Sequence, residues 1–61
     1  MLVFAFTYQS GDEPNPHDPD DTYPVYSTVF ITAKSKEYAE AAFKYVHGGL
    51  KYKLVVAGPA N

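Results

Sequence analysis

Asp12, Glu13, His17, Asp18, Asp20 and Asp21 are the side chains of this sequence best placed to do chemistry, since they bring five carboxylates and an imidazole into ten consecutive residues. Hard divalent cations take several oxygen ligands at once, so cation binding is one chemistry the cluster could support. Its spacing is not that of an EF-hand loop: the turn glycine is missing, and Pro14, Pro16 and Pro19 interrupt the run. The other chemistry is electrostatic, because clustered carboxylates steer association with a basic surface on a partner. General acid-base catalysis needs a carboxylate or imidazole in a cleft with a partner group. Here the acids fall in a proline-rich stretch or on the polar side of a helix, and His17 and His47 lie thirty positions apart. With no cysteine and no arginine either, the chain reads as non-enzymatic, and no catalytic residue, cofactor or resident metal is assigned.

A second group is Tyr26, Phe30, Lys51 and Lys53. Aromatic side chains on a sheet stack nucleic-acid bases while lysines hold phosphates, so the types fit single-strand binding. Two lysines beside an acidic segment make no basic stripe, and the aromatic motif of RNA-recognition sheets is absent, so nucleic acid is not an expected partner. The group fits a protein contact better.

The elements that must position these residues follow from patterning. Leu2 to Gln9 (LVFAFTYQ) is dense in β-branched and aromatic residues and predicts a central strand. Residues 10–24 read as an acidic, proline-rich loop, since each proline removes a backbone donor and no ladder is expected to run through it. Val25 to Ala33 alternates and predicts a second strand, with Tyr26, Thr28 and Phe30 on one face and Val29, Ile31 and Ala33 on the other. Ser35 then caps a helix over KEYAEAAFKYVH, with Glu37 in its first turn, where the helix dipole favours an acid. Ala39, Ala42, Phe43 and Val46 recur at helical spacing, and Gly48 and Gly49 end the run. His47 suits the helix C-terminus as a cation. Leu50 to Ala57 predicts a third strand.

The order β-β-α-β makes strand two, helix and strand three a crossover between strands running the same way. Placing the most apolar strand in the gap gives the spatial order 2-1-3. The predicted fold is α+β: a three-stranded mixed sheet with one helix on one face, the helix side holding Phe4, Phe6, Val29, Ile31, Leu54 and Val56 against Ala39, Phe43 and Val46. The other face presents Val3, Ala5, Tyr26, Thr28, Phe30, Lys51, Lys53 and Val55, and exposed apolar area of that kind marks a contact surface.

Sixty-one residues make one domain, 1–61, and a chain of this size buries only about 60% of the surface its unfolded form exposes. Without cysteines it has no disulfide, so a partner or a second copy is the remaining source of added stability. Residues 1 to 33 carry five acids and no base, whereas 34 to 61 carry all five lysines against Glu37 and Glu40. The apolar start is too short to span a membrane, so no membrane partner is expected and a cytoplasmic location is.

From YPVYSTVFITAKSKEYAEAAFKYV to GGLKYKLVVAGP the chain resembles the small early proteins by which certain podophages inhibit bacterial RNA polymerase, the matching positions being Ala33, Ser35, Ala39, Tyr45, Val46, Gly49 and Leu50. The arginines that family carries late in its last strand correspond here to Leu54 and Val56, so that contact does not transfer. The resemblance implies a virus-encoded inhibitor that binds a host enzyme without chemistry of its own, acting in the host cytoplasm. The resulting expectation is a non-enzymatic protein-binding protein. Asp18, Asp20 and Asp21 meet a basic patch, and Tyr26, Phe30, Lys51 and Lys53 form a second surface. The alternatives are a self-associating homodimeric protein and a divalent-cation-binding loop.

Overall fold

A computed structural model describes residues 1–60. Three strands and one helix follow in the order β1 (Leu2–Asn15), β2 (Asp18–Ala33), α1 (Lys36–His47) and β3 (Tyr52–Pro59). The sheet order is β2-β1-β3, as the patterning predicts. The sheet is not mixed, however: β1 is antiparallel to both neighbours. The helical crossover does leave β2 and β3 pointing the same way, but β1 fills the gap between them, so every ladder in the sheet is antiparallel.

The larger correction concerns residues 10–24. They form no loop, because β1 and β2 continue pairing through Gly11↔Val25, Asp12↔Pro24, Glu13↔Tyr23 and Pro14↔Thr22 to a turn at Pro16 and His17. Proline is tolerated in a ladder wherever its nitrogen points away from the partner strand. β3 ends its pairing at Tyr8↔Tyr52, so beyond that point the hairpin is a two-stranded arm in which both strands are edges. Pro16 presets the turn, and Asn15 Oδ1 accepts the His17 N–H at 2.9 Å, an Asx turn. The arm gives the molecule its length, with extents of 45 × 22 × 12 Å.

Two irregularities shape the arm. Ser10 is an extra residue between Gln9↔Tyr26 and Gly11↔Val25, a bulge in which its hydroxyl donates to the Val25 carbonyl at 3.3 Å and meets Ser27 Oγ at 2.9 Å. Near the tip the register jumps from Pro14↔Thr22 to Asn15↔Asp18, leaving Pro19, Asp20 and Asp21 with no residue opposite them in β1. A third bulge lies in β3, where Ala57 is skipped between Val3↔Gly58 and Phe4↔Val56. Gly58 sits there at φ 136°, a conformation open to glycine.

The core consists of Phe4, Phe6, Ala33, Ala39 and Phe43, with Tyr8, Val29, Ile31, Tyr52 and Leu54 packed around it. Alternation along β1 sends Phe4, Phe6 and Tyr8 to the helix side, and Ala39 is small enough to let the helix approach closely. Phe43 is the hub: its ring lies 4.7 Å from Phe6, 5.6 Å from Tyr8, 4.8 Å from Tyr52 and 4.5 Å from His47. Val46 is not part of this core, being 72% exposed, and Ala42 is also exposed. The helix turns Ala39, Phe43 and His47, each four residues on, toward the sheet instead. His47 therefore packs on Tyr8 and Phe43 rather than serving merely as a terminal cation. The helix lies over β1 and β2 more than over β3, which leaves Val56 at 55% exposure.

Ser35 occupies the N-cap with extended backbone, and its carbonyl accepts the Ala39 N–H at 3.1 Å, but its side chain makes no cap bond to the backbone. Its hydroxyl bonds Glu37, whose carboxyl is held below its ordinary value first by a backbone N–H and then by Ser35. Gly48, at φ 69°, closes the helix by donating its N–H to the Lys44 carbonyl at 2.8 Å. β3 starts at Tyr52, so Leu50 and Lys51 precede the strand.

Candidate contact surfaces

The side of the sheet away from the helix is uncovered. Strand alternation places Val3, Ala5 and Thr7 of β1 there, beside Tyr26, Thr28 and Phe30 of β2 and Lys53 and Val55 of β3. Phe30 is 68% exposed, Tyr26 62% and Val55 58%. Thr7 and Thr28 face each other across the ladder with their hydroxyls 3.0 Å apart. This is the face the sequence pattern assigns to the open side, and Phe30 lies between the polar Thr28 and Thr32 along β2.

At one end of that face, where β3 stops and the arm begins, lies an open groove of about 490 Å³ lined by Thr7, Gln9, Tyr26, Lys51 and Lys53, with Tyr8 and Tyr52. Three of the expected contact residues, Tyr26, Lys51 and Lys53, thus share one concavity. Gln9 is the residue that sequence reasoning passed over. Its side-chain amide donates to Asp12 Oδ1 at 2.9 Å and so ties the groove to the base of the arm. The bulge at Ser10 makes this pairing possible: the extra residue shifts the alternation, so Asp12 comes up on the same face as Gln9.

Asp18, Asp20 and Asp21 are not brought to that groove. They stand at the far end of the arm, all exposed, on and beside the stretch of β2 that has no partner opposite. Two of the three carboxylates engage local backbone: Asp18 Oδ1 accepts the Asp20 N–H at 3.2 Å and Asp21 Oδ1 the Thr22 N–H at 2.9 Å. Each carboxylate keeps free lone pairs for an outside donor. Among the described residues, no group of three or more His, Asp or Glu side chains is arranged to hold a metal ion. The hairpin pairing spreads the acids along two strands instead of curling them round a centre.

A second concavity of about 340 Å³ lies between the start of β1, the end of β2 and the helix, lined by Met1, Ile31, Ala33, Lys34, Tyr38 and Ala42. Thr32 also lines it, and the polar groups there, those of Thr32, Lys34 and Tyr38, form no acid-base pair. On the helix side, Tyr52 donates its hydroxyl hydrogen to the Glu40 carboxylate, and that bond raises the tyrosine pKa above its ordinary value, with desolvation adding to the effect. Among the described residues, no helix is long and apolar enough to cross a membrane. No protein-family model matches the chain, and no curated protein or solved structure matches it either.

Proposed function

We propose that the protein acts by binding another protein, with the acidic arm as its leading contact. The observation that carries this reading is the placement of Asp18, Asp20 and Asp21 at the tip of a two-stranded arm, exposed and remote from every lysine-bearing element of the body. A hairpin is a costly way to hold charges if they merely solvate a loop, because isolated two-stranded ladders are marginal in water. It is an efficient way to present them to a basic surface, where they guide encounter and register. Tyr26, Phe30, Lys51 and Lys53 supply the second surface on the open face. The resemblance to podophage inhibitors makes bacterial RNA polymerase the host enzyme to test first.

The experiment measures binding of the purified protein to bacterial RNA polymerase, and transcription in its presence, for the native chain and for the triple variant Asp18→Asn, Asp20→Asn, Asp21→Asn. The expected result is inhibition by the native chain that falls in the variant and at high salt. Raising the ionic strength from about 0.1 to 1 M shortens the screening length from about 10 to 3 Å. The circular dichroism of the variant should match the native chain, since these residues touch no core side chain. Binding that is indifferent to both the substitutions and salt removes the arm from the mechanism.

A further inference from the structure

We propose that two copies of the chain pair through the outer edge of β2. Val25 to Ala33 of each lies antiparallel to the same run of the other, about a two-fold axis perpendicular to the sheet near Thr28, giving one six-stranded sheet with both helices on the same face. The inference is independent of the role given to the arm, which stays free in the pair.

The first argument is where edge protection is missing. Unpaired strand edges are ordinarily blunted by charge, proline or a bulge. β3 carries Lys53, the bulge at Ala57 and Pro59. In the arm, β1 has the Ser10 bulge, Asp12, Glu13 and Pro14, and β2 has three aspartates, Pro19 and Pro24. Val25 to Ala33 has none of these: it is nine residues without a charge, a proline or a bulge, on a strand with no neighbour beyond it. The protein partner that fits such a row of donors and acceptors is another extended strand. Pairing two copies there leaves the protected β3 edges outermost, so the assembly closes at two.

The second argument is that the helix lacks a neighbour on the same side. Glu40 turns toward Tyr52 of β3, so the opposite side of the helix overhangs the outer edge of β2. With 3.6 residues per turn, Tyr38, Ala42 and Val46 fall on that side, and Tyr38 and Ala42 line the concavity at the end of β2. All three are exposed, as is Tyr45 beside them. Below them Val29 and Ile31 are only half-buried, whereas Phe4 and Phe6, one strand further in, are fully buried. Strands lie about 4.8 Å apart, and the helix sits over β1 and β2, so its copy across the axis lies about 10 Å away. Packed helices are separated by about 8 to 10 Å, and Ala42 is small enough to allow that approach. Tyr38 at 67% and Tyr45 at 93% exposure offer about 300 Å², taking an aromatic side chain as about 200 Å². That is a large share of the ~800 Å² each partner gives to a standard interface, before the strand edge, Ala42 and Val46 are counted.

Charge selects the axis. A two-fold along the strands lays the two arms, each with five acids and no base, side by side, and like charges repel. The perpendicular axis sends the arms out from opposite ends. Centred on Thr28, it sets Tyr26 of each copy opposite Phe30 of the other and Val25 opposite Ile31, aromatic and β-branched pairs of the kind that stabilise a ladder.

Sedimentation or light scattering over a range of concentrations tests this directly. The native chain should show a species of twice 6.8 kDa. Thr28→Lys, which sets like charges opposite each other at the axis, and separately Ala42→Lys, between the helices, should each raise the dissociation constant at least about tenfold. Circular dichroism should be unchanged, because both side chains are exposed. Val55→Lys, on the open sheet face, should leave the dimer intact. The Asp18, Asp20, Asp21 to Asn variant should dimerise normally, so loss of polymerase binding in that variant bears on the arm alone. A native chain that stays monomeric at every concentration overturns the proposal. So does a dimer indifferent to Thr28→Lys and Ala42→Lys, or one that Val55→Lys dissociates, since that behaviour belongs to the open face.

Discussion

Phe43 shows how much of this small molecule hangs on one side chain. Its ring contacts Phe6, Tyr8, Tyr52 and His47 and is fully buried. Phe43→Ala should cost about 3 to 5 kcal/mol, comparable with the whole stability of a chain this short at about 0.05 to 0.15 kcal/mol per residue. Urea titration should therefore find the variant largely unfolded before denaturant is added. Val46→Ala, three residues on, should change the midpoint little, since Val46 packs on nothing in the core. Tyr52 is a second residue with a defined expectation. Its neutral hydroxyl is the bonded form and its pKa is raised above the ordinary 10.0. The stabilisation is complete below that ordinary value and lost as pH climbs through the raised one. Melting temperatures across the alkaline range should fall less steeply for Tyr52→Phe than for the native chain. Glu37 works in the opposite sense. Its pKa is lowered, so its contribution is present above the ordinary 4.5 and disappears as pH drops through the lowered value.

Among the elements, the arm and the body differ in what holds them. Phe4 to Tyr8 have ladders on both sides and a helix above, whereas in the arm Asp12 to Asn15, Asp18, Thr22 and Tyr23 have one ladder and Pro19 to Asp21 none. Amide hydrogen exchange should accordingly be slow for Phe4 to Tyr8 and close to open-chain rates in the arm. Equal protection in the two regions would contradict this account. The three-strand order, the helix and the open face were all legible in the sequence, because alternation along LVFAFTYQ and VYSTVFITA and the glycine pair after the helix speak through local pattern. The arm was not. Four prolines and five acids look like a broken chain, and only the pairing partner shows that the proline nitrogens can be accommodated on free edges. The shift at Ser10 was equally hidden, since a bulge depends on the count of residues in the other strand. Val46 misled for a related reason: helical spacing leaves it as good a candidate as His47, and the tilt of the helix over β1 and β2 decides between them. Of the contact residues, Tyr26, Lys51 and Lys53 come together as their alternation suggests. The acids stand apart from them because the hairpin carries them away.

At the scale of the whole molecule, the thin core and the long arm leave little stability in reserve. If the outer edge of β2 is shared between copies, the melting temperature should rise with protein concentration by mass action, and calorimetry at two concentrations a hundredfold apart should read the shift. The order of the strands has one more outcome. The central strand precedes both of its neighbours in the chain, yet one of them, β3, comes only after β2 and the helix, and Ala60 donates its N–H to the Met1 carbonyl at 3.0 Å beside that later pairing. Until β3 has been made, Leu2 to Tyr8 can zip with β2 but has one flank bare. The nascent polypeptide thus completes its sheet only once β3 has emerged, and until then it carries an unpaired edge of the kind that makes folding intermediates prone to aggregate.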